Sequence, residues 1–251
     1  MKVLAVAGVL ILVLIGAVVA FAPATLVDAR LDAATRGKVR LAGAEGTLWH
    51  GRGTAVVGAD AARIPVAWRL DPWPLLRGEV RIALEPTADA VGAPLGGVTI
   101  AGGRTEVDAL EWSFPASALA AGASAPELEA GGVVGVRVER LAFADTVEHG
   151  NVRIEWRHAR VAVAGQPAIA LGTVAAALSA RDGGLSGPLT ARDGAIRIEG
   201  DATLAPGTAR LTARLVPTAS ASAAERAALA RIGVPAADGS VSLELAGALS
   251  R

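Results

Sequence analysis

Three histidines are the side chains of this sequence best suited to acid–base or metal chemistry, and their spacing argues against both. They are His50, His149 and His158, and no two of them form an H-x-x-x-H or H-E-x-x-H pair. Zinc sites in proteins need several such ligands at short, regular spacing. The sequence has no cysteine, which excludes thiolate nucleophiles, disulfides and cysteine metal sites. We therefore predict no metal site and assign the histidines to polar strand or turn positions.

Other catalytic motifs are incomplete. Ser186 lies in GLSGP (184–188), where the final proline breaks the G-x-S-x-G pattern of a nucleophile elbow. Gly51–Gly53 lacks the third glycine of a dinucleotide fingerprint, and there is no P-loop lysine. Glu106 and Asp108 share a strand face, where paired carboxylates are usually just solvated. We predict no catalytic residue and no cofactor, and we expect that the protein is not an enzyme.

Composition excludes further classes. Of 251 residues, 52% are hydrophobic and 19% are charged, which is too apolar for a disordered chain. The 24 basic and 24 acidic side chains cancel, so no basic excess would draw the protein to nucleic acid. The length is enough for one large or two small cores.

An apolar run occupies the beginning of the chain. Residues 3–22 contain no charged side chain, and twenty helical residues span roughly 30 Å, the thickness of a bilayer core. A cleaved signal peptide is the alternative, since Ala20–Ala22 has the A-x-A form and cleavage there would release a soluble secreted protein. Pro23 would disfavour that cleavage, and the run is longer than a signal requires. We predict a retained transmembrane helix.

This anchor divides the chain into segments. Residues 1–2 would form a cytoplasmic tail, and an uncleaved signal anchor normally exports the C-terminal side. Residues 23–45 would form a helical stalk and the first strand, and residues 46–251 a β-rich domain outside the membrane. The domain has possible halves at 46–120 and 131–251.

The body of the chain alternates apolar and polar residues with period two. That pattern is typical of antiparallel strands with one buried and one wet face. It recurs in five segments: 62–70, 79–85, 151–157, 195–200 and 240–247. Asp-Gly pairs at 182–183, 193–194 and 238–239 predict hairpin turns. The predicted fold class is all-β: an antiparallel sheet, sandwich or open groove with a few short helices.

Two or three short helices are predicted between the strands. They span Pro23 to Ala34, Ser222 to Ile232 with a capping box formed by Ser222 and Glu225, and, as a weaker candidate, Pro115 to Ala121. The stretch 120–132, rich in Ala, Gly and Ser, is a candidate boundary between the halves. Trp68-Arg69 and Trp156-Arg157 could mark a duplication.

Tryptophan is the dominant aromatic residue, with five Trp and no Tyr. Trp68 and Trp156 lie on apolar strand faces, which predicts core packing. Trp73 lies in the rigid turn Asp71-Pro-Trp-Pro74 and could be exposed. There it could anchor a partner protein or touch a membrane interface.

Three segments together resemble a known family. Gly46-Thr-Leu-Trp-His-Gly51 is similar to the G-T-[LV]-W-x-G signature of type II secretion system protein N. The segment 66–80, VAWRLDPWPLLRGEV, resembles the W-x-L-x-P-x-x-L-L-x-G-x-L region of that family. Residues 229–239 resemble its terminal L-x-x-x-G-x-P-x-x-D-G region.

The resemblance implies a single-pass inner-membrane protein with its domain in the periplasm, which helps to export folded proteins across the outer membrane. The implied partners are the secretin or the inner-membrane assembly platform, and no catalytic residue or cofactor is carried over. The oligomeric state stays open. The motif residues, as structural elements or partner contacts, are Gly46, Thr47, Leu48, Trp49, Gly51, Trp68, Pro72, Trp73 and Gly78.

Two questions stay open at this point. Gly46 and Gly51 should bracket a strand turn or bulge, where a Cβ would obstruct backbone approach. On that account the motif is a folding device, whereas a direct partner contact is the sharper alternative. An alternative for the whole protein is an AsmA-like lipid carrier, whose apolar β-face would line a groove for acyl chains.

Overall fold

The computed structural model describes residues 23–24, 39–57, 62–87, 92–118, 128–163, 168–232 and 234–248. The chain forms two compact units, Met1–Ala93 and Pro94–Arg251. Their described residues contain thirteen antiparallel strands and two helices. The predicted all-β class is confirmed.

The first unit is a four-stranded sheet in which each strand pairs with its neighbour along the chain. Its strands are β1 (Val39–Gly46), β2 (His50–Val57), β3 (Ala62–Asp71) and β4 (Glu79–Glu85). Helix α1 (Pro72–Leu75) lies between β3 and β4. The predicted strands 62–70 and 79–85 are confirmed.

The second unit contains nine strands, again paired in chain order. They are β5 (Leu95–Ala101), β6 (Arg104–Pro115), β7 (Leu128–Phe143), β8 (Val147–Val163), β9 (Ile169–Arg181), β10 (Gly184–Arg192), β11 (Ile196–Ala205), β12 (Thr208–Pro217) and β13 (Val241–Ala248). Helix α2 (Ala223–Ile232) connects β12 to β13. The three strands predicted in this part of the chain are present.

Alternation along these strands separates an apolar face from a charged one. In β8, Val152 is buried while Arg153 and Glu155 are exposed. Val152 belongs to a core cluster with Val138 and Leu178 on the neighbouring strands. The charged face carries ion pairs between strands. Arg137–Glu111, Arg140–Asp108 and Arg140–Glu106 join the neighbouring strands β6 and β7, and Arg104–Glu148 joins β6 to β8.

Helix α2 covers part of the apolar face of the second unit. Its Leu229 is buried in one cluster with Ile196 of β11 and Val241 of β13. The predicted capping box begins this helix, since the Glu225 N–H donates to Ser222 Oγ at 3.2 Å and the Ser222 N–H donates to a Glu225 carboxylate oxygen at 2.8 Å. The hydrogen bonds that the Ser222 N–H and hydroxyl donate to the Glu225 carboxylate lower the pKa of Glu225.

Two of the three predicted Asp-Gly hairpins are confirmed, and one is wrong. Asp182-Gly183 connects β9 to β10, and Asp193-Gly194 lies between β10 and β11. Asp238-Gly239 forms a turn but not a tight hairpin, because α2 is inserted between the paired strands β12 and β13. Asp238 instead accepts hydrogen bonds from the Ser240 N–H and hydroxyl, which lower its pKa.

Several predictions fall partly or wholly outside the described residues. The apolar run 3–22 and most of the predicted stalk lie there, as do residues 119–127, which include the end of the weaker helix and most of the candidate boundary. In the part of the chain that is described, no helix is long and apolar enough to cross a membrane.

Trp156 is half-buried rather than fully buried, and its Nε1–H donates to the Gly131 carbonyl at 2.9 Å.

The capping box predicts a pH-dependent contribution to stability. Because the pKa of Glu225 is lowered in the fold, its stabilising effect is present above the ordinary glutamate pKa of about 4.3 and is lost as pH falls through the lowered value. Glu225→Gln should therefore lower the melting temperature more at pH 7 than at pH 3. Glu199→Gln, on the exposed face of β11, is the control. A melting-temperature difference that is the same at both pH values would contradict this.

Candidate functional site

The nine motif residues come together at one end of the first unit. Antiparallel pairing brings the β1–β2 turn beside the β3–β4 connection, since His50 pairs with Arg69 and Asp71 pairs with Arg81. We call this end the motif edge and define it as residues 46–51 and 68–78. The two segments are about twenty residues apart in the sequence, and they become neighbours only through the register of β2 on β3.

A tight turn occupies the first half of the motif edge. Gly46 faces Gly51 across the hairpin, and the Thr47 N–H donates to the His50 carbonyl at 2.9 Å. The Thr47 hydroxyl oxygen also accepts from the His50 N–H at 3.1 Å. Leu48 is half-buried within this turn rather than on a regular strand. Because Leu48 and Trp49 lie in a turn, strand alternation does not set the direction of their side chains.

Trp68 holds this turn from the neighbouring strand. Its indole is only 6% exposed, and its Nε1–H donates to the Leu48 carbonyl at 3.1 Å. A Cβ at Gly51 would lie 2.5 Å from Trp68 Cζ2, so only glycine leaves room for the ring. Gly46 has a φ of +90°, and a Cβ there would lie 2.6 Å from the His50 carbonyl oxygen. The glycines and the tryptophan thus form one packed unit.

The chain segment that precedes the sheet also contacts the motif edge. Pro23 forms an antiparallel bridge with Thr47, and the Ala24 N–H donates to the Gly46 carbonyl at 3.3 Å. Ala24 is buried in a cluster with Leu41 and Trp68. For these two residues the predicted helix is wrong, because they pair with the turn backbone instead.

The β3–β4 connection presents exposed apolar side chains. Helix α1 begins where the Asp71 carboxylate accepts the Trp73 N–H at 3.1 Å, and the Gly78 N–H closes the turn on the Leu75 carbonyl at 3.0 Å. Pro72 and Pro74 restrict the backbone of this short segment. Trp73 is 75% exposed and Leu76 is 80% exposed. Sequence reasoning identified Trp73 but not Leu76, although a four-residue helix is too short to bury two neighbouring leucines.

An ion-pair cluster lies beside the turn. Glu85 of β4 accepts from Arg69 at 2.7 Å and lies 3.4 Å from His50 Nε2, while Arg52 contacts Glu45 at 2.7 Å. Four of these side chains line a shallow, open groove: Glu45, His50, Arg52 and Glu85. Sequence reasoning missed the cluster because its members come from four strands whose register is not visible in the sequence.

The remaining candidates for chemistry are dispersed. Glu106 and Asp108 both contact Arg140, at 3.3 and 3.0 Å, so the pair on β6 belongs to a surface ion-pair network. The hydrogen bond and charge of Asp108 raise the pKa of Arg140. His149 and His158 are exposed on β8. Among the described residues, no group of three acidic or histidine side chains could hold a metal ion.

The described residues define an all-β protein of antiparallel strands paired in chain order within each unit, and the motif edge of the first unit presents exposed apolar side chains. The family model of type II secretion system (T2SS) protein N matches residues 37–244. The chain belongs to that family, and the resemblance seen in its motifs is confirmed. No curated protein and no solved structure is significantly similar to it.

Family membership makes the protein a component of type II secretion. It also implies that the protein interacts with other subunits of that system. The matched region includes the motif edge and most of the second unit.

The packing of Trp68 on Gly51 leads to a stability prediction. Gly51→Ala should destabilise the protein by about 1–3 kcal/mol, because the added methyl group meets the indole and two backbone carbonyls. Gly135→Ala is the matched control, since its Cβ would make only ordinary contacts at 3.6 and 3.7 Å. Chemical denaturation measures both variants. Equal effects at the two positions would show that Gly51 is not needed to accommodate Trp68.

Proposed function

We propose that the protein is a non-catalytic scaffold of the type II secretion machinery, anchored in the inner membrane with its β-rich units in the periplasm. The observation that carries this proposal is the family match over residues 37–244. The apolar run 3–22 supports the anchor, because its length suits a bilayer. Export of the units to the periplasm follows from the usual orientation of an uncleaved signal anchor.

Binding through the β-sheet is the proposed mechanism. Strand β13 pairs with β12, and in the described part of the chain nothing pairs with its other edge. Leu245 on that strand is 52% exposed. An open strand edge offers backbone donors and acceptors to an added strand, with neighbouring side chains providing selectivity. We propose the secretin or an inner-membrane assembly-platform subunit as the partner.

Affinity purification of the tagged full-length protein tests this proposal. The protein would be isolated from detergent-solubilised membranes, and co-purifying proteins and lipids would both be quantified by mass spectrometry. Enrichment of secretin or assembly-platform subunits without excess lipid is the expected result. Stoichiometric phospholipid without those subunits would contradict the scaffold proposal and favour an AsmA-like lipid carrier.

The exposure of Trp73 predicts a separation between function and stability. Trp73→Ala should impair secretion of an exported protein while changing the free energy of unfolding by no more than about 0.5 kcal/mol, as at other surface positions. Val234→Ala, at a residue that is 93% exposed in the second unit, is the matched control and should leave secretion unchanged. Secretion assays and thermal melts of the same variants measure both effects. If Trp73→Ala lost stability and secretion together, Trp73 would be a structural residue.

A further inference from the structure

The end of the apolar run is fixed close to the motif edge. Residues 3–22 end one position before Pro23, which is bridged to Thr47, and Ala24 is hydrogen-bonded to Gly46. Two residues of chain span at most roughly 7 Å even when fully extended. If residues 3–22 lie in a bilayer, the surface of that bilayer must be close to the motif edge.

The same edge carries apolar side chains that the fold does not cover. Trp73, Leu75 and Leu76 are 75%, 37% and 80% exposed. They lie within the short Pro72–Gly78 connection, beside the β1–β2 turn that holds Pro23 and Ala24. Tryptophan is enriched at the boundary between lipid and water, where an apolar ring with one polar N–H fits both phases.

The charges of this connection are compatible with a lipid surface. Arg77 is exposed and forms no ion pair with another described residue, whereas Arg69 and Arg81 contact Glu85 and Glu79. An exposed cation beside apolar side chains suits the phosphate layer of a membrane. The Asp71 carboxylate, just before the Pro72–Gly78 connection, accepts a hydrogen bond from the Trp73 N–H.

A protein partner fits this position less well. An α-helix with its side chains is about 10–12 Å across, which exceeds the roughly 7 Å that the two-residue link allows between the bilayer and the turn. A subunit seated between the edge and the membrane would need a longer link. The geometry therefore favours lipid over protein as the occupant of the exposed apolar surface.

We propose that the motif edge rests on the bilayer that holds residues 3–22, with Trp73, Leu75 and Leu76 inserted at the headgroup boundary. This inference rests on the membrane anchor of the proposed function. It adds a second attachment point, which together with the chain itself fixes the orientation of the first unit. Its β-strands then lead away from the membrane surface, since both connections of the motif edge lie at the same end of the sheet.

Site-directed labelling tests the contact, because the natural chain has no cysteine. Trp73→Cys and Leu76→Cys would each be introduced into the full-length protein, labelled with a nitroxide and reconstituted into vesicles of phosphatidylethanolamine and phosphatidylglycerol. Arg63→Cys is the control, an exposed position roughly 26 Å along β3 from Asp71, where the Pro72–Gly78 connection begins. Thermal melts confirm that each variant folds, and electron paramagnetic resonance with oxygen and a nickel chelate reports the depth of each label.

Labels at positions 73 and 76 should lie roughly 5–10 Å into the boundary between headgroups and acyl chains, while the label at position 63 stays in water. Vesicle flotation after carbonate extraction reports the anchor separately. If the protein floats but labels 73 and 76 are in water, the bilayer contact is wrong and the anchor stands. If the protein does not float, residues 3–22 do not anchor it in the bilayer, and both the proposed anchor and the proposed bilayer contact are wrong. Labels that are in water in vesicles and become immobilised only when solubilised secretion subunits are added would show a protein contact instead.

Discussion

The packing of the Trp68 indole against Gly51 is the contact on which the first unit depends. It requires that position 51 have no side chain, and it brings the indole N–H to the Leu48 carbonyl. The tight turn and the register between β2 and β3 are thereby fixed together, since a slip of one residue would turn the ring to the other face. A single buried side chain thus sets both the shape of the turn and the pairing that brings the motif edge together.

Most strands could be predicted because their signal is local. In segments such as 79–85 and 195–200, the period-two pattern depends only on neighbouring residues and on the existence of a buried face. The turn at Asp238-Gly239 shows the limit of such signals, because the local pair does not reveal that β13 pairs with β12, on the far side of the predicted helix. Trp156 shows another limit: a position on the apolar face does not say how completely neighbouring elements will cover it.

The candidate site was only partly visible in the sequence. The glycines and tryptophans of the motif could be identified by type and spacing, but their assembly at one end requires the pairing of His50 with Arg69. The bridge between Pro23 and Thr47 was missed because proline at a helix start is an equally good local interpretation. The Glu85 ion pairs were missed because cross-strand partners depend on register, which alternation alone does not give.

The pairing of each strand with the next strand in the chain, within each unit, also bears on how the protein folds. Most hairpins close over a short connection, so the entropy cost of loop closure is small at those steps. A chain that emerges N-terminus first can therefore add one strand at a time to an existing edge, without waiting for a distant segment. The last addition differs, since β13 must wait for α2 to be made before it can pair with β12.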